Sequence, residues 1–203
     1  RLQTPNSIVI AQRDIDKEFK SVFIVNKKLN LTLTKELNDL KSLRNLRFTF
    51  GSENSTSGRL MPEYFLNIAG IKTSEFKGKK AGFSGSHDAT IALVNSGSFE
   101  AGALNKQIWE NTLKNNPKRT KNVYVFFVTP SYSDYHWLSQ GDLDEKFYSG
   151  FTKKMKKVIL NLSETNPNQK IILEMFNAKK FINSDAEQYK NIEEIARKLK
   201  KIR

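Results

Sequence analysis

The sequence predicts an α/β fold, and three observations carry that prediction. Arg47-Phe48-Thr49-Phe50 alternates polar and apolar like a half-buried strand, and Leu60, Met61, Tyr64, Phe65, Ile68 and Ala69 then recur at helical spacing until Gly70. Lys80-Ala81-Gly82-Phe83-Ser84-Gly85 reads as a buried strand ending in glycine, followed by a helix through Ile91, Ala92 and Val94 that stops at Gly97. Asn122-Val123-Tyr124-Val125-Phe126-Phe127-Val128 is the most strand-like run of all, rich in β-branched and aromatic residues. Strand, loop and helix thus follow one another twice, with a further buried strand behind them.

Size and composition bound what such a fold can hold. At 203 residues, 38% hydrophobic and 11% aromatic, the chain can bury one substantial core or two small ones. No apolar run approaches the roughly 20 residues that span a bilayer, and no charged leader with an apolar core precedes the first strand, so a soluble chain is expected. It starts at Arg1 rather than Met, which reads as a processed product or part of a longer one. Cysteine is absent, which excludes disulfides, thiolate metal sites and cysteine nucleophiles.

The chemistry concentrates where the two strands give way to their helices. Pro62 lacks an N–H and fits only near a helix start, so the first helix should begin around Ser57 or Gly58. That places Ser55, Thr56 and Ser57 at the helix mouth, where unpaired backbone N–H groups and the positive end of the dipole favour an oxyanion. His87, one of two histidines, lies at the second mouth and can donate to the same anion. Ordinary capping by Ser, Thr or His accounts for either mouth alone; together they point to one anion.

Several separated motifs carry a family resemblance: Phe50-Gly51 through Asn54-Ser55-Thr56-Ser57-Gly58, Gly85-Ser86-His87-Asp88-Ala89, Glu100-Ala101-Gly102-Ala103, and Thr129-Pro130-Ser131-Tyr132-Ser133-Asp134-Tyr135. In this order they resemble the substrate-binding proteins of phosphonate/phosphite ABC transporters, from about Ala11-Gln12-Arg13-Asp14 to the C-terminus. The resemblance implies a two-lobed type II periplasmic-binding-protein fold, with mixed β-sheets flanked by helices and ligand in the cleft between lobes. It implies lobe one from 1–26 and 123–203 and lobe two from 27–122, with two hinge crossings near Ile24 and Val125. It also implies a segment of lobe one N-terminal to this chain. Asp134 becomes a ligand contact: a carboxylate accepts from a P–OH proton, which hydrogen phosphite or a phosphonate monoanion carries and sulfate lacks near neutral pH. Tyr132 and Tyr135, with Trp137, are expected to supply an apolar wall for a P–H or P–C group, and Asn105 to touch a ligand substituent. The implied partner is an ABC permease, with the protein a monomer on the outer side of the cytoplasmic membrane, free or lipid-anchored. No cofactor, no metal and no catalytic residue is expected.

In chain order, Ser7-Ile8-Val9-Ile10-Ala11 and Ser21-Val22-Phe23-Ile24-Val25 read as strands, with the charged segment 13–20 between them. Thr34 can cap a short helix through Leu37, Leu40 and Leu43. A strand is expected near 99–104, then a helix with Ile108, Trp109 and Leu113 that Pro117 stops. Helices should follow over 143–162, 170–176 and from 185 to the end, the last turning Tyr189, Ile192, Ile195, Ala196 and Leu199 inward.

Two other classes compete. The net charge of +13 invites nucleic-acid binding. However, Lys153, Lys154, Lys156 and Lys157 share a helix with apolar Phe147, Phe151, Met155, Val158, Ile159 and Leu162, and read as its solvated face. Arg197, Lys198, Lys200, Lys201 and Arg203 crowd the last helical turns, where cations suit the dipole. Ser57, His87 and Asp134 have the residue types of a hydrolytic triad, but no GxSxG-like elbow presents the serine. A phosphate binder of the same fold is the remaining alternative.

Overall fold

The computed structural model describes residues 6–202. In chain order the strands are β1 (Ile8–Arg13), β2 (Ser21–Asn26), β3 (Phe48–Phe50), β4 (Gly82–Phe83), β5 (Ala101–Asn105), β6 (Val123–Val128), β7 (Trp137–Ser139) and β8 (Phe181–Ile182). The α-helices are α1 (Met61–Ile68), α2 (His87–Ser96), α3 (Lys106–Asn115), α4 (Leu143–Lys146), α5 (Phe151–Leu160), α6 (Pro167–Met175) and α7 (Lys190–Lys198). The chain separates into two units. The first takes in the chain up to Phe19 and Tyr132–Glu193; the second holds Lys20–Ser131 and the residues from Glu194 on.

The second unit is built on a five-stranded mixed sheet in the order β4-β3-β5-β2-β6. β2 runs antiparallel to β5 and β6, while β3 runs parallel to β4 and β5. Every residue of β2 and β5 is buried, as befits central strands with apolar middles, and the polar Ser21, Asn26 and Asn105 at their ends are hydrogen-bonded. Alternation sends Val22 and Ile24 into a cluster with Ile91, Val94, Leu104, Trp109 and Val123. Phe23 points the other way, its ring centroid 6.0 Å from both Phe48 and Phe127, and Phe48 stacks on Phe76 at 4.6 Å.

The first unit has a three-stranded antiparallel sheet, β7-β1-β8. Its core is smaller: Ile10, Ala11, Leu173, Ala178 and Phe181, with Trp137, Met155, Ile159, Leu160 and Leu162 partly buried against it. Trp137, Phe176 and Phe181 pack edge to face, with centroids 4.8 to 5.9 Å apart.

By packing, the two units divide after Phe19 and Ser131: β2 and β6 are hydrogen-bonded into the second unit's sheet, and Thr129 N donates to Ser21 O at 3.0 Å. The chain's end also belongs to that unit, where Ile195 and Ala196 are buried and Lys201 pairs with Glu63 at 3.2 Å. The 143–162 helix is broken in two, since Gly150 at φ 83° interrupts it between α4 and α5. The strand expected over 80–85 shrinks to two residues, and Phe83 is exposed, because β4 is an edge strand paired only to β3. The short helix expected through Leu37, Leu40 and Leu43 forms as a 3-10 helix, Leu37–Leu43, but Glu36 rather than Thr34 stands at its N-cap; Thr34 bridges to Phe127, and its hydroxyl bonds Asp39. Arg203 lies outside the described residues.

Candidate functional site

The first helix mouth opens not with an α-turn but with a wider π-turn, Thr56–Leu60, capped by Ser55. It begins at Thr56, just ahead of the start expected around Ser57 or Gly58. Arg59 N and Leu60 N both donate to Ser55 O, at 3.1 and 3.0 Å, and Met61 N reaches back to Thr56 O. Pro62 has no N–H for the carbonyls four and five residues behind it, those of Gly58 and Ser57. Both find other donors: Gly51 N reaches Gly58 O at 2.8 Å, and Ser21 Oγ reaches Ser57 O at 2.7 Å. The proline and the π-turn together tie the mouth to β2 and to the end of β3.

This leaves three hydroxyls in distinct states. Ser55 Oγ accepts from Gly58 N at 2.8 Å and keeps its own proton to give. Thr56 is partly exposed. Ser57 is fully buried, and its Oγ has no hydrogen-bond partner among the described residues. A buried hydroxyl left so costs about 1–3 kcal/mol, which an oxyanion acceptor would recover. The backbone N–H groups of Thr56 and Ser57 belong to the first turn, ahead of the helical ladder.

The second mouth is capped by Ser86, whose Oγ accepts from Ala89 N at 3.1 Å, so His87 is the first helical residue. Asn105 N donates to His87 Nδ1 at 3.4 Å, which puts the proton of the neutral ring on Nε2 and makes that atom the donor. Burial lowers the His87 pKa below its ordinary value, with Asp88 pulling weakly the other way. The two mouths meet at glycines: a Cβ on Gly58 would lie 3.0 Å from Ser55 Oγ and 3.1 Å from His87 Cε1. One on Gly51 would lie 3.3 Å from Gly58 Cα and 3.7 Å from His87 Nδ1. Only residues without a side chain let the two turns approach so closely.

Of the predicted site residues, Ser55, Thr56, Ser57, His87 and Asn105 therefore lie together in the second unit. Asn105 serves as the N-cap of α3, its Oδ1 accepting from Gln107 N at 2.7 Å and Ile108 N at 3.3 Å, while its backbone orients His87.

Tyr132, Asp134 and Tyr135 lie in the first unit. Asp134 is buried, and its N donates to Asp16 O at 3.0 Å. Tyr132 is buried against Phe19 at 6.0 Å, and the two pair through backbone bonds in both directions. Half-exposed Tyr135 sets its ring edge-on to Phe19 at 5.8 Å and under the Arg13 guanidinium at 5.6 Å.

Sequence reasoning missed the supports of both groups. Ser21 and Gly51 hold the first mouth. Fully buried Asp16 is clamped by Arg13 through Nε at 2.9 Å and the backbone N at 3.0 Å, and so fixes the loop whose carbonyl holds Asp134. Gln12, also fully buried, receives Tyr189 OH at 2.8 Å, and that hydroxyl also reaches Tyr135 O at 3.1 Å. The three-residue spacing of Arg13 and Asp16 was the one available signal. Among the described residues no cluster of His, Asp or Glu could hold a metal ion, and no helix is long and apolar enough to cross a membrane.

Residues 2–189 match the family described as ABC transporter, phosphonate, periplasmic substrate-binding protein. The chain is 71% identical over 203 residues to "Probable ABC transporter phosphite binding protein PhnD1" of Prochlorococcus marinus (strain MIT 9301), covering all of this chain and 68% of that protein. The structure of PhnD1 from Prochlorococcus marinus (MIT 9301) in complex with methylphosphonate superposes with a TM-score of 0.96 over all of this chain and 74% of that one. A binding protein component of a Pseudomonas aeruginosa ABC phosphonate transporter shares the fold at 21% identity, with a TM-score of 0.73 over 96% of this chain and 63% of that one. The chain has the two-lobed α/β fold of periplasmic binding proteins and belongs to the family of phosphonate ABC-transporter substrate-binding proteins.

Proposed function

We propose that the protein is the extracytoplasmic binding component of an ABC importer and captures a small phosphorus oxyanion, phosphite or a phosphonate. The observation that supports this is the close approach of the two helix mouths at Gly51 and Gly58, and the donors assigned to an anion held there are Ser55, Thr56, Ser57 and the Nε2–H of His87. The anion docks there first. A neutral imidazole is the fitting donor: it gives a directed hydrogen bond without the cost of burying a cation.

Asp134, carried by the other unit, completes the recognition by accepting the P–OH proton, while Tyr132 and Tyr135 wall off the P–H or P–C group. Phosphorus oxyanions that keep a proton near neutral pH are retained, and sulfate is refused because it sets a bare oxygen against the carboxylate. The ligand favours the closed arrangement by its greater affinity for it, and the ABC permease reads that arrangement. The protein acts by binding as a monomer, without turnover and without nucleic acid. Ser57 accordingly serves as a hydrogen-bond donor, not a nucleophile.

Calorimetry with phosphite, methylphosphonate, phosphate and sulfate tests the reading. Saturable, near one-to-one heat is expected with phosphite or methylphosphonate and none with sulfate. His87→Ala and Asp134→Ala should each weaken binding severely with an unchanged circular-dichroism spectrum. Equal heats from sulfate, or unchanged affinity in both variants, would refute it.

A further inference from the structure

A buried ion pair stands beside Asp134 in the first unit. Arg13, the last residue of β1, gives Asp16 its backbone N and Nε, which reach Oδ2 at 3.0 and 2.9 Å, and its Nη2, which reaches Oδ1 at 2.5 Å. Nη1 donates to Phe176 O at 2.9 Å. The Asp16 side chain is 1% exposed and that of Arg13 17%, so the guanidinium is turned fork to fork on one enclosed carboxylate. The same turn meets the Asp134 loop twice. Asp134 N donates to Asp16 O at 3.0 Å, and the Arg13 guanidinium lies 5.6 Å from the centre of the Tyr135 ring. Burial disfavours the Arg13 charge, yet Asp16 and, more weakly, Tyr135 and Asp134 hold its pKa above the ordinary value.

A cation left uncompensated here would attract every tetrahedral anion, a dianion about twice as strongly as a monoanion. That works against a carboxylate that selects by refusing an unprotonated oxygen. We propose, on the reading that Asp134 accepts the ligand's P–OH proton, that Asp16 is a specificity-determining residue: it locks the Arg13 guanidinium in a closed pair beside Asp134, so that the ligand's proton and not its charge decides admission. Arg13 and Asp16 act through the field at Asp134, not as ligand contacts. Stability alone is a poor account of the pair, because a buried ion pair seldom holds a fold better than apolar side chains of the same volume.

Asp16→Asn keeps the shape of the side chain and removes its charge. Methylphosphonate is titrated calorimetrically into wild type and variant at fixed ionic strength, with and without excess sulfate. Sulfate, without effect on the wild type, should compete in the Asp16→Asn protein and raise its apparent Kd for methylphosphonate by about tenfold or more. Arg13→Gln uncovers the opposite charge, and methylphosphonate alone should then bind about tenfold or more weakly. Arg13→Gln/Asp16→Asn removes both charges: it should refuse sulfate again and recover most of the affinity that Arg13→Gln loses. A purely structural pair predicts the reverse, with the double variant no better than either single one and sulfate inert throughout. Sulfate that fails to compete in a folded Asp16→Asn protein overturns the proposal. Should circular dichroism show Asp16→Asn unfolded, a double variant that binds no better than Arg13→Gln overturns it. Sulfate that competes in the wild type overturns instead the reading of Asp134 itself.

Discussion

The two units solve the same problem with different completeness. In the second, β2 and β5 have neighbours on both edges and helices on their faces, so Val22, Phe23, Ile24, Val25, Ala103 and Leu104 are fully buried. In the first, β7 and β8 are three and two residues long, and α5 buries none of its residues completely. Where packing is complete, the polar groups are held tightly: Ser21, Gly51 and Gly58 fix the first helix mouth. An anion-binding turn needs such a frame, because its donors must keep their aim when the ligand is absent.

The sharpest way to break this comparison is to remove matched side chains from each unit. Phe23→Ala deletes a fully buried ring between Phe48 and Phe127 and should cost about 3–5 kcal/mol in urea unfolding. Val158→Ala, on the open face of α5, should stay within about 0.5 kcal/mol. Similar losses from the two would show that the first unit is as well packed as the second.

Next in size is Gly58→Ala. A Cβ there meets Ser55 Oγ at 3.0 Å and His87 Cε1 at 3.1 Å, so one mouth must shift away from the other. Methylphosphonate binding should weaken by about tenfold or more, the equivalent of the roughly 1–3 kcal/mol that overpacking costs. Calorimetry on the variant reads this directly, and wild-type affinity would show that the mouths need not approach so closely. Ser21→Ala should have a related but smaller effect. It withdraws the hydroxyl from Ser57 O and leaves that buried carbonyl unmet, at a cost of about 1–2 kcal/mol in thermal or urea unfolding. Unaltered stability would mean that the carbonyl finds another donor.

The second unit was also the more legible in the sequence, for the same physical reason. Its signals are local and reinforce one another: β-branched and aromatic runs at β2 and β6, serine caps at Ser55 and Ser86, and the glycine stop at Gly97. Both helix mouths could be placed from them. Their meeting could not, because it depends on Gly51 and Gly58 approaching across more than one element and on Ser21 reaching Ser57 from a different strand. The π-turn was hidden as well; Pro62 announced a helix start but not that the freed carbonyls would be taken by β2 and the end of β3. In the first unit, apolar spacing suggested one helix over 143–162, and the left-handed Gly150 that breaks it gave only a lone glycine as warning. Arg13 and the buried Asp16 it clamps read only as part of the charged segment 13–20, since sequence shows charge but not enclosure.

The smallest expected effect concerns the proton on His87. Burial favours the neutral ring, so at this site the folded protein binds fewer protons than the unfolded chain once pH enters the ordinary histidine range. The stability contributed is full above about 6.5 and is lost as pH falls from there through the lowered folded-state value. His87→Gln removes the titration and keeps a polar side chain. Urea unfolding of both proteins between about pH 7.5 and 5.5 should show the wild type losing more stability than the variant. Protonation also puts a hydrogen on Nδ1, where it opposes the Asn105 N–H and turns the ring from its aim. Methylphosphonate affinity in the wild type should therefore decline over the same window, despite the added positive charge. An affinity that rose on acidification would show that charge, not direction, governs what His87 contributes, and the neutral donor would have to be given up.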